Sequence, residues 1–221
     1  MFEHIDIRIT SEGSVFIVEQ NDTIRRKQIE PQSLLQLIKN SIDKNEVVDK
    51  YGSPALPKNC IYYGVLERFA SSPTQVVVIE RDKCSKPYNH IGDIILNVGY
   101  PKLLFAYKIQ NNNVISSAVV AAKDEFIKNN SAVYHFPYGN VFADGIICWG
   151  NYRHPQLEEL ANLTFYPELF YLIEHTHPTN AVGQAVVDLL HKGKKFDDSK
   201  LVLMTTFKKF INQFTNSKGG F

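Results

Sequence analysis

The 221-residue chain is 44% hydrophobic, 21% charged and 12% aromatic, which excludes a disordered, collagen-like or coiled-coil protein and suffices for one sizeable core or two small ones. Lys plus Arg number 24 against 23 Asp plus Glu, a formal charge of +1, so no long-range field gathers phosphate backbones and no nucleic-acid partner is expected. Cys60, Cys84 and Cys148 are odd in number and widely spaced, against a disulfide framework or a CxxC site. The opening residues MFEHIDIRIT lack a basic leader and no apolar run approaches about 18 residues, so the expectation is a soluble cytoplasmic protein with no membrane contact.

In chain order, His4 to Thr10 and Ser14 to Gln20 alternate apolar and polar residues around Ser11-Glu12-Gly13, predicting a β-hairpin. Pro31 opens a helical segment reaching Ile42, with Leu34, Leu35, Ile38 and Ile42 on one stripe. The loop around Tyr51 to Asn59 marks a boundary, giving an N-terminal hairpin-and-helix subdomain over 1–52, a main domain over 58–215 and a flexible tail over 216–221. Strands are expected over Ile61–Phe69, Gln75–Glu80, Ile91–Val98, Leu103–Gln110 and Val114–Ala121, the last two joined by Asn111-Asn112-Asn113 in a tight turn. Helices are expected over Pro155–Asn162, Pro167 to about His175 and Asn180–Lys192. Leu201–Met204 reads as a strand and Phe207–Phe214 as a helix, within a lysine-rich, solvated C-terminal stretch. The fold class is α+β: an antiparallel β-meander followed by helices, with an N-terminal β-hairpin plus helix extension.

Chemistry concentrates between the meander and the helices. Asp144-Gly145 is a strong turn signal, and Cys148 ends a short apolar step just before Trp149-Gly150-Asn151, where the chain turns again. From residue type alone, Cys148 is either a buried inert thiol or a reactive one at the lip of an irregular segment.

The segment resembles ubiquitin-conjugating enzymes, whose active-site stretch runs from an Asn through an Asp-Gly-like turn to a nucleophilic Cys eight residues later, as Asn140 and Cys148 stand here. Val141, Gly145 and Ile147 match too, but Tyr138-Gly139 replaces the family's His-Pro, and His135 lies further upstream. Pro137-Tyr138-Gly139-Asn140-Val141, Cys148-Trp149-Gly150, Phe170-Tyr171, Thr176-His177-Pro178 and Tyr100-Pro101 through Phe105 resemble the bacterial members, the prokaryotic family D, also called PRTRC system protein B. The resemblance spans about residues 100 to 180. It implies a UBC fold, a plasmid-associated setting, a ubiquitin-like protein as partner, and a ThiF-type activating-enzyme-like protein that delivers it. Cys148 would accept the carrier's carboxyl terminus as a thioester and pass it to an amine. Asn140 would stabilise the oxyanion or brace the loop, or act as a plain turn residue. Asp144 would orient the incoming lysine or only form the turn, and His177 would lower the thiol pKa or act as base. No cofactor is implied.

Two rival readings stand beside this one. His175-Thr176-His177-Pro178 with Asp188 eleven residues on resembles the zinc ligands of JAMM metalloproteases, which cleave ubiquitin-like tags; this alternative makes zinc the cofactor, although Ala185 replaces that family's Ser. The other rival is a UBC-fold binding module whose Cys148 does no chemistry.

Overall fold

The structure, a computed structural model, describes residues 5–9, 15–20, 24–30, 32–33, 54–66, 72–190 and 195–217. The chain divides into two compact units, residues 1–53 and residues 54–221. No helix among the described residues is long and apolar enough to cross a membrane.

The first unit is an antiparallel sheet of three strands in sequence order, β1 (Ile5–Ile9), β2 (Val15–Gln20) and β3 (Ile24–Ile29). β1 and β2 form the expected hairpin, with Ile7 opposite Ile17. β3 is unexpected: its central Arg25-Arg26-Lys27-Gln28 offers no apolar alternation, yet it pairs with β2 from Gln20↔Ile24 to Val15↔Ile29. The helix expected over 31–42 lies outside the described residues apart from Gln32 and Ser33, which are helical.

The second unit is a mixed α+β fold compatible with the UBC class. Its strands are β4 (Cys60–Leu66), β5 (Thr74–Arg81), β6 (Cys84–His90), β7 (Asp93–Tyr100), β8 (Lys102–Gln110), β9 (Asn113–Ala122), β10 (Ala132–Tyr134), β11 (Glu174–His175) and β12 (Leu203–Thr206). Two helices, α1 (Tyr166–Leu172) and α2 (Phe207–Asn216), complete it. Six strands form one antiparallel sheet in the order β12-β10-β9-β8-β5-β4. The expected turn after β8 is present: Asn111 and Asn112 both have φ near +50 to +60°, which their short polar side chains tolerate, and Gln110 faces Asn113.

Both faces of this sheet are buried, so its central strands read as continuous apolar runs, while their period of two divides them between two cores. Leu103, Phe105, Tyr107 and Ile109 of β8 enter one core with Val77, Ile79 and Val119, under α1 and the irregular chain that follows β10. Leu104 and Ala106 enter the other with Val76, Val78 and Val120, against Phe207, Phe210, Ile211 and Phe214 of α2. Those four α2 residues recur at i, i+3, i+4 and i+7, and burying each is worth roughly 1.5–3 kcal/mol, more than the intrinsic propensity of so short a helix.

The simple meander needs correction. β5 pairs with β8, not with β6, and the intervening β6–β7 hairpin leaves the main sheet to form a second one, ordered β11-β6-β7, in which β11 runs parallel to β6. The expected Ile91–Val98 strand is therefore β7, beginning two residues later and outside the meander. Its partner β6 escapes sequence detection because Pro87 interrupts it, accommodated where the register shifts between Lys86 and Tyr88.

The helical expectations also change. Over Pro155–Asn162 only a 3-10 turn forms, starting at Leu160, and α1 ends at Leu172, where β11 takes the chain on. In place of a helix over Asn180–Lys192, the described residues hold one 3-10 turn, Val186–Asp188. The Asn180 carboxamide oxygen captures the N–H groups of Val182 and Gln184, Gly183 takes φ +79°, and Thr179 bridges Ala185, closing a compact loop where a helix would start. The C-terminal strand and helix follow the expected order as β12 and α2.

Candidate active site

The eight-residue spacing from Asn140 to Cys148 is a closed hairpin loop. Val141 bridges Ile147, Phe142 N–H donates to Ile146 O, and Cys148 N–H donates to Asn140 O at 2.8 Å, which places Asn140 and Cys148 opposite each other. The loop is moored to β9 on the side where β10 pairs only with Ala121 and Ala122: Val119 N–H donates to Gly145 O, and Ile147 N–H donates to Ser117 O. At the end of the loop, Trp149 Nε1 donates to Ser117 Oγ at 2.6 Å, fixing the residue next to Cys148. Gly145 is required here, since φ is +87° and a Cβ would press on Val120 and Phe210 at 3.2 and 3.3 Å.

Upstream of Asn140, an aromatic cluster sets the chain. Tyr138 is buried against Tyr88, Tyr100, Phe136 and Phe196, and its hydroxyl donates to Gly99 O. The next residue meets the chain around β11. A Cβ on Gly139 would lie 2.8 Å from the carbonyl oxygen of His177, so the absence of the His-Pro pair has a steric reason: the chain just after β11 crosses where a proline ring would sit. Gly139 O accepts from His175 Nδ1 at 3.2 Å, and Gly139 N–H donates to Tyr88 Oη.

Asn140 then stitches the loop to the β11 segment. It is buried with φ +61°, a conformation Asn tolerates, and its side chain makes three bonds: Nδ2 to Glu174 O at 2.7 Å, and Oδ1 to Thr176 N at 3.1 Å and to His177 Nδ1 at 2.8 Å. These bonds tie the loop to the β11 segment and commit one amide N–H to Glu174.

Cys148 is half-buried and borders two clefts. One, of about 240 Å³, is lined by Asn140, Phe142, Cys148, His177, Thr179 and Asn180 among others. The second, of about 460 Å³, shares Asn140 and Cys148 and adds Trp149, Asn151, Tyr152, Glu174 and Thr176. A thiol reached from two sides can exchange an acyl group on one and meet a nucleophile on the other. Burial raises the pKa of the other two thiols: Cys60 Sγ donates to Tyr62 O, and Cys84 Sγ faces the Tyr171 hydroxyl.

The predicted residues are not all brought together. Cys148, Asn140 and His177 share one cleft, while Asp144 is exposed, accepts the Ile146 N–H to close the turn, and lines neither cleft. The ligands of the zinc alternative separate. His175 is fully buried with Tyr88 stacked on its ring at 4.4 Å, Asp188 is exposed on a 3-10 turn, and no three His, Cys, Asp or Glu side chains among the described residues could hold a metal ion. Burial lowers the His175 pKa to about 4. Sequence reasoning missed Gly139 and Asn180. Nothing local marks Gly139, since its constraint comes from His177, 38 residues away, but Asn180 ahead of Gly183 carried a turn signal that the apolar spacing of Val182, Val186 and Leu189 outweighed.

No curated protein and no solved structure matches this chain. The family described as Prokaryotic E2 family D matches residues 54–215, which span the whole sheet, the Asn140–Cys148 loop and nearly all of α2. The chain therefore belongs to Prokaryotic E2 family D.

Proposed function

We propose that the protein is a conjugating carrier: Cys148 accepts the carboxyl terminus of a ubiquitin-like protein as a thioester from a ThiF-type activating partner, then passes it to an amine. The observation that carries this reading is the half-buried Cys148 thiol at the junction of two clefts, hydrogen-bonded through its backbone to Asn140 and sharing a wall with His177. Family membership supports an E2-like role, and the chemistry fits. A thioester divides one acyl transfer into two easier ones and remains reactive toward amines.

In loading, Cys148 Sγ attacks the incoming thioester carbonyl, the bond to the donor's sulfur breaks, and the Cys148 proton passes to a base and then to the departing thiolate. His177 is the titratable neighbour of Cys148 in the smaller cleft and serves as that base. Asn140 holds the loop against the β11 segment. The test is incubation with the activating partner, ATP and the ubiquitin-like protein: a thiol-sensitive adduct that disappears in Cys148→Ala supports the reading. Unchanged partner affinity with no covalent adduct would replace it with a binding module.

A further inference from the structure

The side chains of Asn140 and His177 are bonded to each other, and their neighbours give the direction of that bond. A backbone carbonyl only accepts, so the Asn140 atom 2.7 Å from Glu174 O is the amide nitrogen. A backbone N–H only donates, so the atom 3.1 Å from Thr176 N is the amide oxygen. That oxygen lies 2.8 Å from His177 Nδ1, and since it has no proton to give, Nδ1 must carry one. In a neutral imidazole the proton on Nδ1 leaves the lone pair on Nε2, the reverse of the tautomer a free histidine favours.

We propose that Asn140 is a positioning residue that holds His177 as the Nδ1–H tautomer, and that Nε2 takes the proton of the amine attacking a Cys148 thioester. The inference rests on the carrier reading of Cys148 and assigns its base. Two further observations support it. The described residues lining the smaller cleft include no carboxylate, so His177 is the proton acceptor there besides Cys148 itself. The backbone of His177 is also held against the loop, its carbonyl occupying the space beside Gly139 that a Cβ would need. A Cys-His-Asn set, as in papain-like proteases, is one of the convergent variants of the nucleophile–base–orienting-group arrangement.

The step balances. The amine nitrogen attacks the thioester carbonyl, the C–N bond forms, and the C–S bond breaks with its electron pair going to Cys148 Sγ. The surplus amine proton moves to His177 Nε2, and the imidazolium returns it to the thiolate, leaving an amide and a free thiol.

Two experiments on the full chain test this. In long-range proton–nitrogen NMR of nitrogen-15-labelled protein, with His177 identified by its loss in His177→Gln, the wild type shows Nδ1–H, Asn140→Asp retains it, and Asn140→Ala moves to Nε2–H. Separately, Cys148 is acylated with a glycylglycine thioester of mercaptoethanesulfonate, and its discharge to methylamine is followed by intact mass, subtracting any adduct that persists in Cys148→Ala. His177→Gln and Asn140→Ala slow discharge by about 100-fold, the range expected for loss of a general base. Asn140→Asp recovers most of the rate, and added imidazole rescues His177→Gly. An Nε2–H signal in the wild type, a His177→Gln rate within about twofold of wild type, which is far from any general-base effect, or failure of Cys148 to be acylated overturns the proposal. Should Asn140→Ala fail to fold, Asn140→Asp and His177→Gln still decide. Because no partner protein is used, the positioning role fails or holds independently of whether the group carried on Cys148 is a ubiquitin-like protein.

Discussion

A single methyl group at Gly139 tests how the loop and the β11 segment fit together. In Gly139→Ala the new Cβ would stand 2.8 Å from His177 O and 3.4 Å from His177 Cβ, and since the nearer atom is backbone, no side-chain rotation relieves it. The two segments must part by about half an ångström, the kind of overpacking that costs roughly 1–3 kcal/mol. Parting also stretches the bonds that cross this junction, from Gly139 O to His175 and from Asn140 to Glu174, Thr176 and His177, each worth about 1 kcal/mol net. The expected loss is about 3 kcal/mol, or roughly 6–12 °C in Tm for a unit of this size. Trp149, the only tryptophan, lies beside Cys148 and reports unfolding of this unit by fluorescence. Gly150→Ala is the control: its Cβ meets nothing within 4 Å, so only the backbone cost of φ +58° remains, about 1–2 kcal/mol. Gly139→Ala unfolding at or above the Tm of Gly150→Ala would refute the steric account.

Ile91 is a β-branched residue at φ +50° in the β6–β7 turn, followed by Gly92 at φ +85°. Ile91→Asn creates the Asn-Gly pair that such turns favour and should raise stability by about 1 kcal/mol in urea unfolding; a loss would show that the exposed Ile91 side chain matters more than its strain. His154 stacks on Tyr166 and meets the edge of Trp149 at 4.3 Å with both ring nitrogens unpartnered, and burial lowers its pKa to about 4. A depressed histidine contributes stability that is complete above about pH 6.5 and is lost as pH falls toward 4, because the unfolded chain binds the proton first. Replacing it with Phe should flatten the pH dependence over that window by on the order of 1 kcal/mol, discounted for its partial exposure, as read in Tm between pH 7 and pH 4; an unchanged slope would place the loss elsewhere.

What the sequence reveals here follows the range of the interactions. The β8–β9 hairpin is legible because Asn111 and Asn112 suit the turn's positive φ, and α2 because Phe207, Phe210, Ile211 and Phe214 repeat at helical spacing. The partnership of Asn140 with Cys148 is legible as a spacing because one short hairpin loop makes it. What is hidden depends on distant chain: β6 is broken by Pro87 and finds a parallel partner more than 80 residues later, and the bond from Asn140 to His177 spans 37 residues. Val182, Val186 and Leu189 imitate a helix, but the Asn180 side chain captures the N–H groups that would begin it. Likewise the His175, His177 and Asp188 pattern imitates a metal motif until His175 turns into the core and Asp188 out to solvent.

The carrier reading is tested most directly by intact mass spectrometry of the full chain after incubation with its activating partner, ATP and the ubiquitin-like protein. The prediction is one ubiquitin-like protein per chain, attached through a bond cleaved by thiol, present in wild type and in Cys60→Ser and Cys84→Ser and absent in Cys148→Ala. No adduct on wild type when the activating partner itself is charged, or an adduct that survives in Cys148→Ala, would contradict it.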